Sequence, residues 1–203
     1  MTYIIVGLGN PGEEYKDTRH NVGRMALDAF RTMNDLSEWE ERTSLKALVS
    51  EGKLKKHTVM LVEPETFMNK SGDTVGKIKE IKFKTKDKQT TTENLVVVHD
   101  DLDLPLGRMK ISFNKSSGGH KGVESVIKAI KTEGFTRVRI GISPSNAKGV
   151  VKKPDDVVGD FIVEPFKPKE LEAIKKEMKQ VVEAISMLVL EGREKAMGEF
   201  NRS

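Results

Sequence analysis

The sequence contains no cysteine. Disulfides, thiol nucleophiles and cysteine-based zinc sites are thereby excluded, and a reducing compartment fits the absence. The N-terminus has no basic n-region, and its apolar run Tyr3–Val6 is too short for the h-region of a signal peptide. No stretch approaches the ~18–20 consecutive apolar residues of a membrane span. Nor is there an internal repeat or a linker that would divide the 203 residues. A cytoplasmic protein of one domain, residues 1–203, is the expectation, and 36% hydrophobic against 33% charged residues is enough to close one core.

Acidic residues are nearly missing from one long segment. Between Gly107 and Lys153 there are eleven Lys/Arg and only Glu124 and Glu133, a net +9 within a chain whose total is +4. A second basic run, Lys77–Lys88, has six lysines against Glu80 and Asp87. Positive charge concentrated in this way favours a polyanionic partner such as nucleic acid.

Strand and helix patterns alternate along the chain. Tyr3–Val6 reads as a buried strand that runs into glycines, and Asn10-Pro11-Gly12 forces a turn at its C-terminal end. Val22–Met33 has helical spacing, with Asn21 placed as its N-cap. Leu45–Ser50 and Thr58–Glu63 form a strand pair. Lys70–Phe83 reads as a helix, and Lys84–Asn94 as a polar loop. Leu95–Val98, Arg108–Phe113 and Phe135–Ile142 read as strands. Lys121–Lys131 and Pro168–Leu190 read as helices, and a short helix closes the chain. The alternation implies an α/β fold with a twisted, mixed but mainly parallel sheet and helices on both faces.

Gly7-Leu8-Gly9-Asn10-Pro11-Gly12 satisfies the dinucleotide fingerprint G-x-G-x-x-G. The context opposes that reading. Pro11 sits where helix amides should meet a pyrophosphate, the first convincing helix starts ten residues later, and no ribose-binding acid follows the next strand.

Four polar clusters lie instead at strand ends or just before helices, where open sheets gather a crevice. They are Tyr15 to Asn21 with His20, Phe67-Met68-Asn69, His99-Asp100-Asp101-Leu102-Asp103, and Gly118-Gly119-His120-Lys121-Gly122. The chemistry they share is hydrolysis by an activated water. An imidazole takes a proton near neutral pH, and a carboxylate on its other nitrogen fixes the tautomer. Asp100 leaves its strand first and is the best partner for His20; Asp101 and Asp103 are expected to face solvent or cap the turn. The four histidines show no H-x-x-x-H spacing, so no metal is expected.

These motifs, VGLGNPGEEYKDTRHN (6–21), FMNKSG (67–72), HDDLDLPLG (99–107), GGHKGVESVI (118–127) and RVRIGI (137–142), resemble bacterial-type peptidyl-tRNA hydrolase in order and spacing along nearly the whole chain. The resemblance implies a metal- and cofactor-free enzyme, a cytoplasmic monomer with no membrane attachment and no obligate protein partner. It would cleave the ester between peptide and tRNA and so recycle tRNA from prematurely dropped chains. It implies His20 as general base and Asp100 as its support. Asn10 would help the site select a blocked peptidyl group, and Tyr15, Phe67, Met68 and Asn69 would line the peptide and 3′-end groove. The family reads GGHNG where this chain has Lys121, a donor-only ammonium in place of an amide in the substrate site. That departure admits a second reading, an RNA-binding protein on the same scaffold that does not hydrolyse.

Overall fold

The computed structural model describes residues 1–146, 150–151 and 158–202. Eight strands form one sheet: β1 (Thr2–Gly7), β2 (Glu40–Arg42), β3 (Ala47–Leu54), β4 (His57–Pro64), β5 (Phe83–Lys86), β6 (Gln89–Pro105), β7 (Met109–Phe113) and β8 (Gly134–Ser143). The order is β2-β3-β4-β1-β6-β8-β7, with β5 paired to β6. The central strands β4, β1, β6 and β8 are parallel, and β2, β3, β5 and β7 join antiparallel. The sheet is therefore mixed with a parallel centre, as the strand–helix alternation predicts.

Each face of the sheet is covered by helices. The helices α1 (Val22–Met33), α5 (Pro168–Glu191) and α6 (Arg193–Phe200) close one core with Ile5, Leu61, Val98 and Ile140. The short α2 (Ser71–Val75) and α3 (Lys121–Ile130) close the other with Ile4, Val62, Val97 and Phe135. The strands at the centre carry apolar residues on both faces because both are buried, which is why they read as continuous runs rather than alternating ones. A last helix, α4 (Val158–Val163), precedes α5. Lys148, Lys152 and Lys153 of the basic segment, and most of the loop expected over 143–159, lie outside the described residues.

Two expectations fail together. Lys70–Phe83 is not one helix: a 3₁₀ turn Met68–Lys70 and the five-residue α2 replace it. Lys84–Asn94 is not a loop: β5 and the start of β6 form a hairpin there. Buried Asn94 explains both. Its side chain donates to the carbonyls of Thr2 (2.7 Å) and Glu80 (2.8 Å) and accepts from the amide of Lys82 (2.8 Å). Those bonds pull the backbone at 80–82 onto the sheet, so the helix cannot continue. Ile78 and Ile81 are buried although no continuous helix carries them. Asn21 occupies the N-cap position of α1 but makes no side-chain cap.

Candidate active site

Chain direction places the crevice. The connection after β1 leads through α1 to β4 on one side, while β6 and β8 lie on the other, so β1 and β6 flank the point where the winding reverses. At the C-terminal edge of such a pair a cleft opens. The turn after β1 delivers Asn10, a 3₁₀ turn Arg19–Asn21 delivers His20, and β6 delivers His99 and Asp100. The N-terminus of α3 brings His120 to the same place.

One carboxylate oxygen organises the cluster. Asp100 Oδ1 lies 2.9 Å from His20 Nδ1 and 2.8 Å from His120 Nε2. The other nitrogen of His120 caps α3, accepting from the amides of Gly122 (3.1 Å) and Val123 (3.3 Å). Since Nδ1 of His120 accepts, its proton is on Nε2, and this imidazole donates to Asp100. His20 donates from Nδ1 in the same way, which leaves its Nε2 lone pair unprotonated. His99 lies beside them, its Nδ1 2.6 Å from the carbonyl oxygen of Asp100 and its ring edge-on to His120 at 4.7 Å between centroids.

The electrostatics follow from burial and charge. Desolvation pushes the Asp100 carboxyl up, but the His20 and His120 imidazoles outweigh it and hold the group well below the usual carboxylate range. For His20 desolvation pushes down, and the charge and hydrogen bond of Asp100 prevail, so its pKa is raised. His99 is fully buried and held well below its ordinary value, mainly by desolvation and then by His120. Within one cluster, burial beside a hydrogen-bonded carboxylate raises the pKa of His20, while His99, which bonds only the Asp100 backbone, is kept neutral by burial despite the nearby charge.

A cavity of about 720 Å³ opens on this cluster, walled by His20, Asp100 and His120 at its base and by Lys115, Arg137, Arg139 and Ile162 further out. Asp101 is turned from the cluster: its Oδ2 pairs with Arg139 Nε at 2.5 Å and its Oδ1 accepts from the amide of Asp103 at 2.7 Å, capping the turn as expected. A second, shallower groove of about 420 Å³ runs between α2 and α3, lined by Asn69, Asp73, Lys121, Glu124, Ser125 and Lys128. Lys121 lies on the wall of both.

The sequence-predicted residues divide accordingly. His20 and Asp100 meet. Asn10 does not join them: its Oδ1 accepts from the amide of Met68 at 2.8 Å, and its backbone is held on both sides by the Asn21 side chain. Asn10 thereby fixes the turn that carries Met68 and Asn69, with its own side-chain NH₂ left to donate. Met68 is buried, while Phe67 remains 57% exposed beside the groove residue Asn69. Tyr15 ends the 3₁₀ turn Glu13–Tyr15, half-buried, and its carbonyl accepts from the Thr18 amide and hydroxyl. Lys121 begins α3 with its ammonium in solvent, 3.6 Å from Glu124 Oε2, and no contact joins it to His20. His120 is the residue that sequence reasoning placed in a polar cluster without giving it a role. Its signal was a histidine directly before a helix, where an N-cap acceptor is needed. Close packing sets the rest: a Cβ on Gly122 would fall 2.4 Å from Met68 Sδ, and one on Gly72 would fall 2.2 Å from the Ser125 carbonyl oxygen.

The family model described as peptidyl-tRNA hydrolase matches residues 4–203. Among curated relatives, the peptidyl-tRNA hydrolase of Pseudothermotoga lettingae is 41% identical over 199 residues, covering 98% of this chain and 96% of its own. That of Aquifex aeolicus is 40% identical over 200 residues, covering 98% and 96%. Among solved structures, peptidyl-tRNA hydrolase from Acinetobacter baumannii superposes with a TM-score of 0.83 at 24% identity, over 99% of this chain and 95% of that one, a likeness of fold.

Proposed function

The chain belongs to the peptidyl-tRNA hydrolase family, and we propose that His20 is the general base of its reaction and Asp100 the group that orients and charges it. The reaction is hydrolysis of the ester that joins a peptide to tRNA. The observation that carries the residue assignment is the shared Asp100 Oδ1, which fixes His20 with Nδ1 protonated beside a cavity.

In this reading His20 Nε2 takes a proton from water as the oxygen attacks the ester carbonyl. Asp100 steadies the imidazolium that forms. The tetrahedral intermediate collapses, and His20 returns the proton to the 3′ oxygen of the departing tRNA. Asn10, through its free NH₂, and Asn69 position the peptide and the carbonyl. Phe67, Met68 and Tyr15 contribute the walls of the peptide and 3′-end groove, and the exposed Lys121 meets substrate phosphate as a point charge rather than holding the water. The donor atoms of His20, Asp100 and His120 lie within 4.8 Å of one another, close enough for an ion. The proton transfers described use those atoms as hydrogen-bond partners and require no metal and no cofactor. Among the described residues no helix is long and apolar enough to cross a membrane. A cytoplasmic monomer without an obligate protein partner, folded as one unit over 1–203, completes the reading.

The test is release of an N-acetyl-aminoacyl group from tRNA, beside free aminoacyl-tRNA, by wild type and His20→Ala. Preferential release of the blocked group, lost with His20, supports the assignment. Full activity in His20→Ala refutes the base. Tight tRNA binding with no release by wild type favours the RNA-binding reading instead.

A further inference from the structure

The lysine-rich run is a hairpin at the opposite end of β6 from the part that carries Asp100. Strands β5 and β6 pair from Phe83–Thr92 to Lys86–Gln89, and the two residues between them, Asp87 and Lys88, both take positive φ (50° and 65°). Two consecutive left-handed residues make a tight turn whose twist matches that of the strands. Neither residue is glycine, so the conformation is held by the pairing around it. The Thr85 and Thr90 hydroxyls, 3.1 Å apart, add a cross-strand bond.

Nothing in the fold accounts for the side chains this hairpin displays. Every residue of β5 is exposed. Between Lys82 and Thr92 there are four lysines and a single acid, Asp87. Among the described residues, no carboxylate lies within ion-pair distance of Lys82, Lys84, Lys86 or Lys88. Lys82, Lys84 and Lys86 are two residues apart in extended chain, so they share a side and repeat at roughly 6.5 Å. That interval is comparable to the step between successive phosphates on a nucleic-acid strand. Phe83, 50% exposed, points to the opposite side of the strand.

The hairpin continues a row of lysines that begins at the site, of which Lys121 and Lys128 share Glu124 as an ion-pair partner. Lys121 stands at the first turn of α3 on the cavity wall, Lys128 two turns on, and Lys131 at the C-cap. The next residue, Thr132, bonds through its hydroxyl to the Thr90 carbonyl at the base of the hairpin. Lys88 and Asp100 are twelve residues apart, at most about 40 Å of fully extended chain, and the register irregularity between Thr91 and Val96 makes the separation shorter. The hairpin thus sits at the C-terminal end of α3, along β6 from the part that carries Asp100.

We propose that the Lys82–Lys88 hairpin binds the phosphate backbone of the tRNA body, remote from the scissile ester, and so supplies affinity for intact tRNA rather than catalysis. This rests on the hydrolase reading for its choice of RNA. Its contacts are phosphate contacts, which carry no sequence preference.

The experiment uses the full chain and the variant Lys82→Gln/Lys84→Gln/Lys86→Gln. Two ligands are compared: N-acetyl-aminoacyl-tRNA, and the same blocked aminoacyl group on an acceptor-stem minihelix. Fluorescence anisotropy with the uncharged forms measures binding directly. The expected result is a KM for intact tRNA raised about fivefold or more with kcat unchanged, and no change on the minihelix. Losing two to three phosphate contacts should also flatten the plot of log affinity against log salt by about 2. An unchanged KM and salt slope on intact tRNA would overturn the proposal and leave the hairpin a solvated element. An equal loss on both ligands would overturn it too, since the contact would then belong to the acceptor end. Failure of wild type to release either group would sink the hydrolase reading, while the anisotropy comparison would still decide whether the hairpin holds tRNA.

Discussion

Replacing Asp100 with Asn isolates what its charge does. The side chain is nearly isosteric, and the amide oxygen can still accept from His20 and His120, so the cluster keeps its shape. What disappears is the negative charge that steadies the His20 imidazolium as water is deprotonated. With nitrogen and oxygen 2.9 Å apart, the charge centres lie a little over 4 Å from each other. At an effective dielectric near 20 that attraction is about 3–4 kcal/mol. Losing it in the transition state slows the reaction by roughly two to three powers of ten. The pH profile supplies the sign. A general base works when deprotonated, so kcat/KM rises with pH and levels off above the pKa of His20. In wild type that pKa is raised, because Asp100 overcomes the downward push of burial. In Asp100→Asn only burial remains, so the midpoint moves to lower pH and the deficit is smaller at pH 6 than at pH 8. The assay is release of N-acetyl-aminoacyl groups from tRNA between pH 5 and 9, with circular dichroism to establish folding. A loss under threefold, or a midpoint displaced to higher pH, would refute the role given to Asp100.

Three further outcomes are expected. His120→Asn retains a good N-cap residue for α3 but cannot reach Asp100; stability should fall by about 1.5–3 kcal/mol, the loss of a hydrogen bond to a buried carboxylate. More of the carboxylate's charge then falls to His20, so the kcat/KM midpoint should move to higher pH; a move to lower pH would contradict the shared-oxygen account. Arg19 is buried, its guanidinium donating to the carbonyls of Phe161, Glu164 and Pro165 and pairing with Glu170 at 2.9 Å. Arg19→Lys keeps the charge and loses the fork, and should cost about 2–3 kcal/mol in denaturant unfolding. Because α4 supplies Ile162 to the cavity wall, KM should rise more than kcat falls; a KM unchanged beside a lowered kcat would show that Arg19 acts on the base alone. Glu63 is buried 3.0 Å from Arg24, and desolvation pushes it up to about 8. The unfolded chain sheds that proton near pH 4.5, so wild type should lose stability as pH rises from 4.5 to 8. Glu63→Gln should flatten that slope in urea titrations; an identical slope would show that Glu63 is ionised in the folded protein.

The fold was legible wherever burial was simple. The apolar runs of β1 and β6 and the helical stripes of α1 and α5 each answer to one periodicity; β1, α1 and α5 end within one residue of their expected bounds, while β6 runs from Gln89 to Pro105, well past the expected Leu95–Val98 at both ends. The misreading over 70–94 shows where local pattern fails. A single buried amide, Asn94, draws residues from both sides of the future hairpin onto β1, and nothing within a window around 80 reports a bond to Thr2. The threonines of the hairpin favour strands, but its lysines do not and it shows no apolar alternation, because a hairpin exposed on its whole first strand has no face to bury.

The site was legible in its residue types and not in its wiring. His20 and Asp100 can be paired from sequence because strand ends and helix starts converge at one sheet edge, and chemistry supplies the rest. That a second imidazole binds the same oxygen cannot be read in this way, since it depends on the start of α3 bringing the His120 ring to 2.8 Å from the Asp100 carboxylate. The arrangement has a consequence for each group. His120 must present Nδ1 to its own helix, so it can offer only a proton to Asp100 and cannot take one from water through Nε2 while that bond stands. His99 is committed through Nδ1 to the backbone and is kept neutral by burial. His20 alone among the three combines a carboxylate on one nitrogen with a place on the cavity wall for the other. Three histidines meet at one aspartate, and their hydrogen bonds leave one of them free to act as the base.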